Sequence, residues 1–148
     1  WLFGDARAGI DFDEHGFPRA VTARARANLK KLLDLAREEK VVLIPVLFDF
    51  GLADGVERSG PDGAWQVGER PSLVTNAGQR AALAKIVEDL VREHAGHEGV
   101  LAWEPMNEPE NAVAVVTPEH FGHLQRFLGE LVDAIHRAGE LATVGSRN

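Results

Sequence analysis

The stretch LAWEPMNEPE, residues 101 to 110, ends an apolar run in three carboxylates, an asparagine and two prolines. Glu108 and Asn107 are the pair that could do chemistry. A carboxylic acid can protonate a leaving oxygen and later take a proton from water, while a neighbouring amide holds the hydroxyl beside the reacting carbon. Cleavage at a sugar carbon uses such an acid and gains from such a neighbour. Strand alternation puts Glu104, Met106 and Glu108 on one side, with Trp103 and Asn107 on the other until the strand ends and twists. Pro109 biases Glu108 away from helical geometry and aims its side chain upward. An ordinary polar turn leaving a strand could contain the same tripeptide, so the elements around it must decide.

Three helices are legible. In TARARANLKKLLDLAREEK an apolar stripe runs through Ala25, Leu29, Leu32, Leu33 and Ala36. A second helix runs from an Asn76 cap to His94, with Leu83, Ile86, Val87, Leu90 and Val91 as its stripe. The third opens at Thr117-Pro118-Glu119 and is lined by Phe121, Leu124, Leu128, Leu131, Val132 and Ile135, with Gly139 at its C-terminal cap. Apolar strands are expected at 41 to 48, 99 to 106 and 141 to 146, and Trp1-Leu2-Phe3 reads as the tail of another.

This alternation of strand and helix predicts a parallel sheet with right-handed crossovers. Helix-to-strand connections are short. Strand-to-helix connections (4 to 20, 49 to 75 and 107 to 117) are long, and they emerge at the C-terminal ends of the strands, where active sites of such proteins are built. No loop carries a glycine-rich phosphate turn, so a (β/α)8 TIM barrel segment is favoured over a doubly wound sheet. No linker divides the 148 residues, which read as one α/β domain, a partial TIM barrel. Both ends run through strand-like sequence and the single methionine is internal, so the expectation is a piece of a longer protein.

Composition narrows the partners. Sixteen basic against 23 acidic residues give a net charge of -7 with no basic cluster, which argues against nucleic acid and anionic membranes. Apolar residues at 45% predict a packed core, and the absence of cysteine removes disulfides and thiolate chemistry. No protein partner and no cofactor is implied.

AWEPMNEPE resembles the fourth-strand signature of clan A glycoside hydrolases, particularly family 5, the cellulase- and mannanase-like enzymes. TVGS (143 to 146) is similar to the fifth strand of that family and VVLIPVLFDF to the third, so the resemblance spans strands two to five. It implies a retaining hydrolase of a β-linked polysaccharide or oligosaccharide, with Glu108 as general acid/base and Asn107 binding the sugar 2-hydroxyl. The family's nucleophile follows the seventh strand and has no counterpart here, so residues 1 to 148 alone are expected to be inactive. A complete barrel takes about 250 residues. Asp49-Phe50 stands where the family often has histidine. The alternative is a non-catalytic carbohydrate-binding or degenerate barrel. Localisation is left open, with secretion compatible with the resemblance.

Other residues divide between function and structure. Trp65, in the glycine-rich loop 51 to 75, could be a platform for a sugar ring or could pack its loop. Asp49, and Asp5 and Arg7 in FGDARAG, could reach substrate hydroxyls; an Asp5–Arg7 pair could equally shape the loop. Glu104 reads as an interior carboxylate paired with a basic group. DFDEHG (11 to 16) has His15 where a calcium loop needs an oxygen ligand and Thr22 where it needs the closing glutamate, so a polar turn is expected. His120 and His123 lack the companions of a zinc motif, His94 and His97 suit a helix end, and no metal site is read.

Overall fold

A computed structural model describes residues 1–4, 6, 8–53, 56–60, 63–67, 70–113 and 121–145, with 56–60, 63–67 and 113 described by backbone alone. The order is β1 (Ile10–Phe12), β2 (Pro18–Val21), α1 (Ala23–Glu38), β3 (Val46–Asp49), a 3-10 turn (Phe50–Leu52), β4 (Val56–Gly60), β5 (Gly63–Val67), α2 (Ser72–Thr75), α3 (Ala77–Glu93), β6 (Glu104–Asn107), α4 (Pro109–Val113) and α5 (Phe121–Arg137).

β3 and β6 pair in parallel, with Val46 opposite Glu104, Phe48 opposite Met106 and Asp49 opposite Asn107. Parallel bridges join Gly4 to Phe48 and Trp103 to Ala142, so the ladder follows sequence order, as expected. The regular strands are shorter than the apolar runs at 41 to 48 and 99 to 106. Pro45 and Pro105 have no N–H to give the ladder. The Pro45 carbonyl still accepts from the Glu104 N–H at 3.0 Å, which keeps the register.

The helices begin where their caps dictate. Thr22 Oγ1 accepts from the Ala25 N–H at 3.2 Å and opens α1, while Asn76 Oδ1 accepts from the Gln79 N–H at 3.1 Å and opens α3. Gly139, with φ +91°, closes α5 as expected; the opening of that helix at 117 to 119 lies outside the described residues. All five expected stripe residues of α3 are buried, and they pack with Leu124, Phe127, Leu131 and Ile135 of α5. The stripe of α1 needs correction. Leu29, Leu33 and Ala36 are buried and Ala25 packs against the core, but Leu32 is 46% exposed, because it lies off the face that positions 25, 29, 33 and 36 turn to the core. Phe121, in the first turn of α5, is likewise exposed.

The long connections are not structureless. Residues 4 to 20 contain the antiparallel hairpin β1–β2, whose turn is organised by Asp13. Asp13 Oδ1 accepts from the N–H groups of Phe17 at 2.8 Å and His15 at 2.9 Å. The Phe17 N–H, with Arg19 alongside, holds the Asp13 carboxyl below the usual carboxylate range. DFDEHG is therefore a polar turn, as read. Residues 49 to 75 contain the 3-10 turn, the hairpin β4–β5 and α2, and 107 to 117 contain α4.

One face of the sheet is open at its N-terminal end. Val42 and Ile44, on one side by alternation, are exposed, whereas Leu43 and Leu47 pack into the core. An open barrel interior would be expected to leave Met106 exposed, yet it is fully buried. It lies at the end of the sheet from which the 3-10 turn and α4 leave, and Leu52 and Ala112 of those elements are buried in the same core.

Candidate functional site

The C-terminal ends of β3 and β6 bring Asp49, Asn107 and Glu108 together. Asp49 caps the 3-10 turn, its Oδ1 accepting from the Gly51 N–H at 3.0 Å. Its register partner Asn107 donates Nδ2–H to Asp49 Oδ2 at 3.2 Å. A carboxylate accepts and does not donate, so the Asn107 nitrogen must face Asp49 and its carbonyl oxygen must face away. All three side chains are half-buried.

Glu108 follows directly, with φ +44°. Pro109 favours extended geometry in the residue before it, and Glu108 lies in the left-handed region despite that preference. For a residue with a side chain this conformation costs on the order of 1–3 kcal/mol, and such strain concentrates at functional sites. Asn111 locks the turn. Its backbone N–H donates to the Glu108 carbonyl at 2.9 Å and its Nδ2–H to Glu108 Oε2 at 2.7 Å, leaving Oε1 as the second carboxyl oxygen. Asn111 was not foreseen from sequence. Its signal was the capping spacing, three residues beyond Glu108 with proline between them at the first helical position.

Glu104 is half-buried, and among the described residues it has no basic partner. Its Oε1 lies against Gly145, where a Cβ would come within 3.1 Å. The carboxylate thus lies against backbone that carries no side chain. Trp65 belongs to β5 opposite Arg58, with its side chain outside the described set. Asp5, Arg7 and His120 also lie outside it. His97 is structural: Gly99 N–H donates to its Nδ1 at 3.0 Å, so Nε2 carries the proton and faces Asp34 Oδ1 at 3.5 Å. His94 stacks on buried Trp103 with ring centroids 6.5 Å apart. A cavity of about 360 Å³ lies away from these strand ends, between Trp1–Phe3 and α1.

No protein-family model matches the sequence, and no curated protein matches it. Solved structures do. The chain superposes on an endo-1,4-beta-mannanase from Eisenia fetida with TM-score 0.74 and 20% identity, covering 97% of this chain and 44% of that one. A beta-1,4-D-mannanase from Cryptopygus antarcticus gives TM-score 0.72 and 21% identity over 95% and 43%. The beta-1,4-mannanase of the sea hare Aplysia kurodai gives 0.75 and 20% over 97% and 46%. The chain shares its fold with part of these mannanases. It spans less than half the length of each.

Proposed function

We propose that the chain is part of the TIM-barrel catalytic domain of a family 5-like retaining glycoside hydrolase that cleaves a β-linked polysaccharide or oligosaccharide. The observation that carries this reading is the placement of Glu108 at the C-terminal end of β6, strained and beside the Asp49–Asn107 pair. The shared fold with mannanases supports it, and makes β-1,4-mannan the first substrate to try.

In this reading Glu108 protonates the leaving glycosidic oxygen and then takes a proton from the water that releases the product. Asn107, its amide held by Asp49, hydrogen-bonds the sugar 2-hydroxyl. The nucleophile is a second carboxylate about 5–5.5 Å from Glu108 in the complete barrel, supplied from outside these residues. Trp65 and Arg7 are assigned to the substrate-binding loops.

The test is Glu108→Gln in the full-length protein. It keeps shape and hydrogen bonding but delivers no proton, so turnover of mannan should fall by ~10² to 10⁴ while binding persists. Glycosides with a good leaving group, which need little protonation, should lose less in the first step. Unchanged turnover by the variant overturns the assignment. A wild-type protein that binds the glycan without cleaving it would make this a carbohydrate-binding barrel.

A further inference from the structure

We propose that Asp49 is a positioning residue that acts through Asn107, fixing which end of that amide meets the substrate hydroxyl. The proposal rests on the hydrolase reading above and adds a residue to it. Both oxygens of Asp49 are already engaged within the protein. Oδ1 takes the Gly51 N–H at 3.0 Å and Oδ2 takes Asn107 Nδ2–H at 3.2 Å. The backbone is pinned as well, since the Asp49 N–H donates to the Gly4 carbonyl at 2.9 Å and its Cα is paired in register with Asn107.

An asparagine amide is nearly symmetric in shape, and only its neighbours decide whether oxygen or nitrogen points outward. A carboxylate beneath it admits one answer. The Asn107 nitrogen is then fixed on the Asp49 side, so its carbonyl oxygen and its second Nδ2–H each have one set place, and a hydroxyl bonded to the amide is held in one orientation during the reaction. The contribution of Asp49 is to keep a weak rotor from spending time in the wrong state. Such preorganisation falls on turnover, because the contact matters most as charge develops at the reacting carbon.

Asp49→Asn separates this role from direct substrate binding. The new amide oxygen can still cap Gly51, so the turn survives, but its nitrogen then faces the Asn107 nitrogen and that amide must flip. Asp49→Ser, which also keeps a capping oxygen, guards against a folding artefact. In the full-length protein, kcat on a 2-hydroxy glycoside should fall roughly tenfold for either variant, the worth of one well-placed hydrogen bond. KM should stay within about twofold. The loss should vanish in an Asn107→Ala background and on a 2-deoxy glycoside, which has no hydroxyl to orient. Losses that multiply with those of Asn107→Ala, or a rise in KM alone, overturn the proposal. Either result alongside an inactive Glu108→Gln leaves the hydrolase reading standing, whereas an active Glu108→Gln removes that reading itself.

Discussion

Asn111 and Glu108 are joined twice across a single helical turn, once through the backbone and once through their side chains at 2.7 Å. The acid therefore leaves β6 with one oxygen already held. Its orientation is set by a residue three positions later.

Removing that hold should cost turnover. Asn111→Ala frees the Glu108 carboxyl to rotate and should lower kcat by about tenfold, with KM little changed. Asn111→Asp should cost more, since it sets a second carboxylate against the first. Steady-state kinetics on mannan and on a good-leaving-group glycoside would measure both, and wild-type kcat in the two variants would show that the contact is incidental.

Gly99 is needed for close approach. A Cβ there would stand 2.8 Å from the Leu33 carbonyl oxygen of α1, a backbone atom that cannot rotate away. Gly99→Ala should destabilise the fold by about 1–3 kcal/mol as overpacking. Urea unfolding would read it as a lower midpoint; an unchanged midpoint would mean that α1 shifts freely over the sheet.

His94 should make stability depend on pH. Burial pushes its imidazole below the ordinary histidine value of 6.5, while the charge of Glu93 opposes the shift. The unfolded chain thus takes up a proton at higher pH than the folded one does. Stability is full above 6.5 and declines as pH falls from there towards the depressed folded value. His94→Phe, which can keep the stack on Trp103 but cannot titrate, should flatten this part of the Tm-versus-pH curve. A curve of unchanged slope would assign the dependence to other groups.

The open sheet face has a consequence in solution. Val42, Ile44, Leu141 and Val144 are exposed beside strands that end the ladder, and such surfaces favour self-pairing. Residues 1–148 alone should sediment as oligomers or aggregates. A monomer with a sharp cooperative melt would contradict the partial-barrel reading.

Much of this architecture was present in the order of the residues. Asn76, Thr22 and Gly139 mark helix ends because capping is local, needing only neighbours within a turn. The α3 stripe and the parallel order follow from periodicity and from the length of the crossovers. The position of Glu108 at a strand end could be read in the same way, from an apolar run stopping at Asn-Glu-Pro. Other features depended on what the chain meets far along its length. Leu32 and Leu33 are equally apolar, and only the side on which the core lies buries one and exposes the other. Met106 is buried within a core to which the connecting segments also contribute Leu52 and Ala112, which alternation along one strand does not register. Asn107 is oriented by Asp49, 58 positions earlier, through a register that exists only once β3 and β6 pair. Sequence determined which groups are available and where elements begin. Tertiary structure decided which of those groups face one another, because hydrogen bonding and burial act through space.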